Sequence, residues 1–126
     1  MRYLCLGYLD EKKLEGMSES ERETFIKECS SYDDILRTNG HFVRLEGLER
    51  AQNANTLRYQ DGKVTITDGP YAETKEQIGG LLLLEAIDLN YAVQLMSKHP
   101  GIRVGAFEIR AIDEPSCARA SELEKP

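Results

Sequence analysis

The sequence has little cysteine, and the three cysteines that it contains form no metal-binding or disulfide pattern. Cys5, Cys29 and Cys117 are odd in number, far apart in the chain and without a C-x-x-C pair. Disulfide frameworks use even numbers of cysteines and zinc sites use closely spaced pairs, so the sequence predicts neither. Free thiols persist in a reducing compartment, which predicts a cytoplasmic protein.

Long hydrophobic runs are also missing. No window approaches the roughly 20 apolar residues that a membrane-spanning helix needs. The opening residues, MRYLCLGYLDEKK, have too short an apolar run and the wrong small-residue context for a signal peptide. We therefore expect no association with a membrane.

Positive charge is scarce. Lys and Arg number 16 against 22 Asp and Glu, which gives a formal net charge of -6 at pH 7. Proteins that bind nucleic acids contact phosphates through clustered Lys and Arg, and no such cluster occurs here. The composition excludes a nucleic-acid partner and favours a small neutral or cationic ligand, or another protein.

The sequence motifs of common cofactor sites do not occur either. There is no phosphate-binding glycine loop, no Rossmann fingerprint, no G-x-S-x-G and no pair of histidines spaced for a metal. The pair Gly79-Gly80 is explained more simply as an entry into a strand past a crowded neighbour. We expect no cofactor and no metal ion.

The 126 residues present are enough for one domain with a single core. Ser18 and Glu21 form a capping box at the start of a helix, and Asp61-Gly62 is a strong hairpin signal. The order of elements gives two βαβ-type halves, typical of a ferredoxin-like α+β sandwich with an antiparallel sheet and two helices on one face. The predicted elements are strands at 2–9, 41–48, 79–87 and 104–112, a hairpin at 56–67, and helices at 18–38 and from 89 to a stop at 99–101, in a domain at 1–113 followed by a tail at 114–126.

The strand GGLLLLEAI predicts an oligomer. Side chains alternate along a strand, so Leu81 and Leu83 face one way while Leu82 and Leu84 face the other. A strand that is apolar on both sides normally has both faces buried, and two helices can cover only one. We therefore predict a homodimer in which two sheets pack face to face as a dimeric α/β barrel. The alternative is that the tail or the connection at 49–55 folds over that face.

The polar segment DGPYAETKE, at 68–76, is either a turn or a site. Asp68 can begin an Asx-type turn, and Pro70 can fix the corner that follows. The stretch from Asp68 to Gly80 nevertheless reads as 13 irregular residues, a length that is uncommon in a compact domain unless the loop is functional or disordered. We interpret it as a candidate site.

Several groups in this segment suit proton transfer. Asp68, Glu73 and Lys75 are the candidate acids and bases, and His41 joins them if it lies near the loop. The alternatives are a solvated charged surface for the loop and an exposed strand edge for His41. The same hypothesis assigns ligand contacts to the neighbouring side chains Tyr71, Thr74 and Glu76.

The alternation of side chains along the last predicted strand identifies a second group of candidate site residues, which are charged. Glu108 and Arg110 face opposite to Phe107 and Ile109, so they point into the dimer interior if the latter point at the helices. Arg44 and Arg58, on neighbouring strands, are predicted to join them. The four side chains then form either a linked ionic network or an anion clamp for a carboxylate ligand, and we favour the network.

Two other predictions concern single residues. His99 precedes Pro100 at the end of a helix, where interaction with the helix dipole accounts for it. Cys5 lies within a strand pattern and is expected to be buried and inert.

The stretch ITDGPYAETKEQIGGLLLLE, at 66–85, closely resembles the pattern of the DGPF group of YCII-related proteins, with Tyr71 where that pattern has phenylalanine. The likeness extends from RYLCLGYLDE to VGAFEIRA and leaves out only the tail. It implies a dimeric ferredoxin-like α+β fold with a cavity between sheet and loops. The motif residues that it maps, without assigned roles, are Asp68, Gly69, Pro70, Glu73, Thr74, Lys75 and Glu76.

The resemblance leaves the function open. A better-described branch of YCII-related proteins is similar to lyases or isomerases that use a His–Asp pair, with the histidine on the first helix. The predicted helix at 18–38 contains no histidine, so that pair cannot be carried over. Our first hypothesis is a small-molecule-binding dimer, with acid–base chemistry at Asp68. DGPF relatives also include domains fused to sigma factors, so the alternatives are a non-catalytic regulatory module of transcription control and a purely structural dimer.

Overall fold

A computed structural model describes residues 1–113, and the predicted tail at 114–126 lies outside this range, as does Cys117. The described chain is an α+β fold, as predicted. Short 3-10 turns at Ala51–Asn53 and Pro100–Arg103 connect some of its elements. The elements are β1 (Arg2–Leu9), α1 (Glu11–Glu15), α2 (Glu19–Thr38), β2 (Phe42–Gly47), β3 (Asn55–Gln60), β4 (Lys63–Asp68), β5 (Gln77–Glu85), α3 (Leu89–Ser97) and β6 (Gly105–Ala111).

Four of the strands form one antiparallel sheet in the order β2-β5-β1-β6. Because β5 lies between β1 and β2, and β1 lies between β5 and β6, each half of the chain is a split βαβ unit. This arrangement confirms the predicted ferredoxin-like topology. Within residues 1–113 no helix has the length and apolar content needed to cross a membrane.

Local signals set the helix boundaries. Ser18 accepts a hydrogen bond from the backbone N–H of Glu21, and the Glu21 carboxylate accepts one from Ser18, which completes the predicted capping box. The charged residues after β1 form the short helix α1, to which the sequence analysis assigned no element. The Asp10 side chain caps this helix by accepting a hydrogen bond from Lys12 N–H.

The core lies between one face of the sheet and the helices α2 and α3. Tyr3, Cys5, Leu82 and Leu84 project from β1 and β5 and are at most 4% exposed. Helix α3 meets them through a narrow apolar stripe, since Leu89 and Val93 are about half exposed. The helix residues that pack there are Tyr32, Leu36, Ala92, Leu95 and Met96.

The opposite face of the sheet, which we call the open face, carries no helix. Leu81 and Leu83 project there and are only half-buried, while Leu82 and Leu84 are buried on the helix side, as the alternation predicted. Strand register aligns the open-face side chains in two rows. The arginine row is Arg44, Leu83, Leu4 and Arg110, and the glutamate row is Glu46, Leu81, Leu6 and Glu108.

β3 and β4 form a separate two-stranded hairpin. Its turn is the predicted one: Asp61 and Gly62 both have positive φ, at 51° and 77°, as a tight hairpin turn requires. One apolar side of the hairpin has no partner among the described residues, with side chains 61 to 75% exposed. These side chains are Leu57, Tyr59, Val64 and Ile66.

The irregular stretch around the polar segment is shorter than the predicted 68–80. β4 includes Asp68 and β5 begins at Gln77, so the irregular loop spans only 69–76. Gln77 and Ile78 pair with Leu9 and Tyr8 of β1, although they lack an obvious strand pattern. Gly79 falls at the irregularity in this pairing, and a Cβ placed on it would lie 2.1 Å from the Leu9 side chain, so a larger residue would require that side chain to move.

Candidate functional site

A half-open cleft of about 730 Å³ lies between the hairpin, the loop at 69–76 and the end of the sheet. We call it the cleft. Tyr8 and Ile78 supply its floor from β1 and β5, on the same side as the open face. Its walls are mostly apolar, with a few polar side chains. Its lining residues also include Glu49, Arg50, Leu57, Tyr71, Thr74 and Glu76.

The loop contributes part of its predicted site to the cleft. Tyr71, Thr74 and Glu76 line it, whereas Asp68, Glu73 and Lys75 are not among its lining residues. Hydrogen bonds within the segment fix its shape: the Gln77 side-chain amide donates to the carbonyls of Ala72 and Thr74 at 2.9 and 3.0 Å, and Thr74 Oγ1 donates to the Glu76 carbonyl at 2.6 Å. The cleft therefore has a wall with a defined conformation.

Asp68 ends β4 opposite Asn55, with its side chain exposed. Hydrogen bonds made by Gly69, the next residue, hold the turn. Gly69 N–H donates to the Ala54 carbonyl at 2.7 Å, and Thr56 Oγ1 donates to the Gly69 carbonyl at 2.9 Å. Gly69 has φ of 105°, a conformation that favours glycine. This geometry supports the turn interpretation of Asp68-Gly69-Pro70.

The arginines predicted to share one interior lie apart. Arg58 donates to the Tyr71 carbonyl at 3.1 Å and places its guanidinium 5.1 Å from the centre of the Tyr71 ring, so it supports the loop. Arg44 and Arg110 lie at opposite edges of the sheet, about 14 Å apart over three strand spacings. Within one chain these arginines do not converge as an anion clamp would require.

Each sheet edge has its own ion pair. Arg44 contacts Glu46 at 2.7 Å, and Arg110 lies 3.9 Å from Glu108. The Tyr8 hydroxyl donates to Glu108 at 3.1 Å. Loss of solvent around the phenol, followed by this hydrogen bond, raises the pKa of Tyr8, so it remains a neutral donor at the cleft floor.

His41 is remote from the loop. Its Nδ1 lies 2.9 Å from the Glu85 carbonyl, and its ring packs against Tyr91 with the centroids 5.4 Å apart. Glu85 and Gln77 are the two ends of β5, about 25 Å apart. The condition under which His41 was a candidate base, closeness to the loop, is therefore not met.

A buried His–Asp pair lies on the helix side of the sheet, where the sequence analysis predicted only a helix-end histidine. His99 Nε2 is 3.0 Å from Asp33 Oδ1, and the two residues are 8% and 9% exposed. The Gly101 N–H donates to His99 Nδ1 at 3.0 Å, so Nδ1 is an acceptor and Nε2 must carry the proton that it donates to Asp33. The pair is a fixed, neutral imidazole holding a carboxylate.

Two glycines line a small cavity beside this pair. Gly7 and Gly80 are register partners on β1 and β5. The cavity has a volume of about 170 Å³ and lies between sheet and helices; we call it the inner cavity. Its lining residues include Cys5, Cys29, Asp33, Met96, His99 and Phe107.

Asp33 presents a usable oxygen to this space. Within residues 1–113 its Oδ2 accepts no hydrogen bond, and no fully buried side-chain oxygen there lacks a partner. Oδ2 therefore keeps some accessible surface, and Asp33 is one of the residues that line the inner cavity. The nearby thiols are poor nucleophiles, because burial raises the pKa of Cys5 to about 12 and burial, followed by the Asp33 charge, raises that of Cys29 to about 11. The burial predicted for Cys5 is confirmed, and its inertness stays a prediction.

No cluster of three or more His, Cys, Asp or Glu side chains in the described part of the chain is arranged to hold a metal ion.

The strand order, the two helices on one face and the inserted hairpin together define a ferredoxin-like α+β domain. The model of the YCII-related domain family matches residues 1–115. The chain belongs to the YCII-related family, as the resemblance at 66–85 predicted.

The chain is similar to one protein in sequence and to another in fold. It is 30% identical over 116 residues to the uncharacterised protein R00369 of Rhizobium meliloti (strain 1021), an alignment that covers 89% of this chain and 92% of the relative. Its fold is similar to that of 5-chloro-2-hydroxyhydroquinone dehydrochlorinase (TftG) from Burkholderia phenoliruptrix AC1100, in complex with 2,5-dihydroxybenzoquinone. That match has a TM-score of 0.54 and 14% identity and covers 90% of this chain and 94% of the other.

Proposed function

We propose that the protein is a cytoplasmic homodimer that binds a small organic molecule in the cleft. The observation that carries the proposal is the cleft itself, whose volume of about 730 Å³ lies within the range of about 300 to 1,000 Å³ for small-molecule sites. Its mostly apolar walls would bury the body of a ligand, while Tyr8, Thr74 and Glu76 offer a few polar contacts to orient it.

The charges of the cleft favour a neutral or cationic ligand. Glu49 and Glu76 bring two carboxylates to its wall. The Arg50 guanidinium is already engaged, because it contacts Glu15 and lies 3.5 Å from Glu11. Its positive charge is therefore largely neutralised, and an anionic ligand would meet a net negative site.

The homodimer is supported by the open face. Four leucines, Leu4, Leu6, Leu81 and Leu83, adjoin one another there and remain only half-buried in the single chain. Contiguous apolar surface of this kind on a soluble domain typically marks an interaction site. A second subunit would remove it from water.

Phenols, hydroquinones and quinones are the first ligand class to test, because the dehydrochlorinase of similar fold was solved with a dihydroxybenzoquinone. Small amines, lactones and carboxylic acids complete a thermal-shift screen. A ligand at 100 times its Kd adds about 2.7 kcal/mol to the free energy of unfolding and raises Tm accordingly.

Two tyrosine variants test whether a ligand found in the screen binds in the cleft. Tyr71→Ala should abolish the shift, whereas Tyr59→Ala should preserve it, because Tyr71 lines the cleft and Tyr59, equally exposed at 75% against 78%, does not. Equal loss in both variants would refute binding in the cleft. A flat screen, together with co-purification of a sigma factor, would favour the regulatory alternative.

A second candidate function is acid–base chemistry of the lyase or isomerase kind at the inner cavity. The observation that favours it is the buried pair in which His99 holds Asp33 while Asp33 Oδ2 stays accessible. In this assignment Asp33 accepts a proton from the ligand, and His99 holds the Asp33 carboxylate in position. The motif carboxylates Asp68 and Glu73 and the amine of Lys75 remain candidate proton-transfer groups of the loop, although none of them lines the cleft.

Proton transfer can be measured directly. A ligand found by the screen is incubated with the protein in D₂O, and exchange of its C–H protons is followed by NMR. For a ligand bound at the inner cavity, Asp33→Asn should abolish exchange, while Asp34→Asn, a matched change at an exposed neighbour, should leave it intact. Loss of exchange only with Asp68→Asn would place the chemistry at the loop instead.

A further inference from the structure

The side chains that line the cleft differ in how many hydrogen-bond donors and acceptors they leave unused. Several carry donor groups that already bond within the chain. The Tyr8 hydroxyl donates to Glu108 at 3.1 Å, and the Thr56 hydroxyl donates to the Gly69 carbonyl at 2.9 Å. A hydroxyl group has a single hydrogen, so neither of these groups has another to offer a ligand.

The side chains of the loop show the same pattern. Thr74 Oγ1 donates to the Glu76 carbonyl at 2.6 Å, and the Gln77 amide donates to the carbonyls of Ala72 and Thr74 at 2.9 and 3.0 Å. Each hydrogen of that amide therefore has an acceptor within the loop. The donors that give the loop its shape are not available to a ligand.

Among the described residues that line the cleft, Arg50 is the only charged donor. Its guanidinium contacts Glu15 and lies 3.5 Å from Glu11, so it ties the connection at 49–55 to α1. A ligand carboxylate would have to compete with these two carboxylates of the chain. The one positive charge of the cleft therefore already has its counterions.

The strongest acceptors of the cleft, in contrast, are unused. Glu49 and Glu76 line it and are exposed, and in the described part of the chain neither carboxylate has a hydrogen bond or an ion pair. The other polar side chains there without a hydrogen bond, those of Asn53, Asn55 and Tyr71, each offer a donor and an acceptor together. The unused side-chain groups are therefore mainly acceptors.

From this balance we infer that the cleft selects its ligand by hydrogen-bond donors on the ligand, and that the preferred class is a protonated amine on an apolar body. The inference rests on the small-molecule site proposed above and adds the chemistry that selects the ligand. An ammonium group has donors and no acceptor, so it complements Glu49 and Glu76 through charge-assisted hydrogen bonds. A carboxylate, ester or quinone oxygen at the same place would face another acceptor and lose its hydrogen bond to water.

Three probes with the same phenylethyl body separate hydrogen bonding from charge. 2-Phenylethylamine carries N–H donors and a positive charge, its N,N,N-trimethyl derivative keeps the charge without the donors, and 3-phenylpropanoate carries a carboxylate. In titrations followed by ligand-observed NMR, the Kd of 2-phenylethylamine should be about tenfold or more below the other two, because it alone makes charge-assisted hydrogen bonds. Tyr71→Ala should abolish its binding, since Tyr71 lines the cleft.

Two glutamate variants test the acceptors. Glu76→Gln replaces a charged acceptor with an amide and should raise the Kd of 2-phenylethylamine about fivefold or more. Glu23→Gln is the matched control, because it removes the same charge from an exposed glutamate of α2 that also has no partner in the described chain but does not line the cleft. It should leave the Kd unchanged. Circular dichroism verifies folding, and Glu49→Gln, with the same expected effect, serves if Glu76→Gln misfolds.

The outcomes separate the ligand class from the site. If 3-phenylpropanoate or the trimethyl derivative binds as tightly as the amine, the inference is overturned, and loss of that binding with Tyr71→Ala would still support the cleft as a site. Equal effects of Glu76→Gln and Glu23→Gln overturn it too, because affinity would then follow net charge rather than contact. Failure of all three probes to bind at millimolar concentration also overturns it, and the wider screen then tests the cleft by itself.

Discussion

The ammonium group of Lys75 lies 3.8 Å from Oδ2 of Asp10, a residue that is only 4% exposed. The other oxygen of Asp10 caps α1 by accepting from Lys12 N–H. The contact joins the loop at 69–76 to the end of β1. It gives Lys75, which sequence analysis assigned to proton transfer, a position at the base of the loop.

Lys75→Met should loosen this loop with little effect on the whole fold. The Lys75 side chain is 78% exposed, so we expect the free energy of unfolding to fall by under about 1 kcal/mol in urea denaturation. Limited proteolysis within 69–76 should become faster. Lys63→Met, at an exposed hairpin position, is the control and should change neither. Unchanged proteolysis of the Lys75 variant would show that the contact does not hold the loop.

Gly105→Ala should destabilise the protein strongly. A Cβ on Gly105 would lie 1.7 Å from the Tyr8 carbonyl oxygen, and backbone cannot rotate away as a side chain can. We expect a loss of about 1 to 3 kcal/mol or more in thermal unfolding. Gly47→Ala is the matched change, since nothing lies within 4 Å of its Cβ, and it should shift stability by less than about 0.5 kcal/mol. Equal effects would contradict the close approach of β6 to β1.

The two described thiols should be unreactive in the folded protein. With pKa values near 12 and 11 against 9.0 in an unfolded chain, the thiolate fraction at pH 8 falls about a thousandfold for Cys5 and a hundredfold for Cys29. Ellman's reagent on a Cys117→Ser background should therefore react slowly until denaturant is added. Rapid reaction of both thiols in the native protein would disprove their burial.

The same thiols predict a loss of stability in alkali. The unfolded chain releases these protons above pH 9, while the folded protein retains them until about pH 11 to 12. The stabilising contribution is thus complete below pH 9 and is lost as pH rises through this interval. Cys5→Ala should reduce the slope of unfolding free energy against pH above pH 9, and an unchanged slope would exclude Cys5 as its source.

Features coded by neighbouring residues could be predicted from the sequence. Ser18 with Glu21 began the helix, Asp61-Gly62 made the hairpin, and the alternation from Leu81 to Leu84 separated the two faces of β5. Each depends on backbone geometry within a few residues. Their agreement was enough to give the fold.

Features that depend on distant pairing were missed. Gln77 and Ile78 are strand residues because β1 pairs with them, and nothing in their own pattern marks them. Asp33 and His99 are 66 residues apart and meet only after α2 and the turn following α3 pack on the sheet. A signal did exist for Asp33, since it lies between Tyr32 and Leu36 on the buried stripe of α2. A carboxylate in that place needs a partner.

The position of β1 within the sheet has a consequence for how the chain folds. β1 is an interior strand, yet its neighbours β5 and β6 begin only at Gln77 and Gly105. During synthesis on the ribosome, most of the described chain must emerge before β1 can acquire either neighbour. Sequence-distant pairing of this kind slows folding, so the exposed apolar strand is a natural binding target for a chaperone during translation.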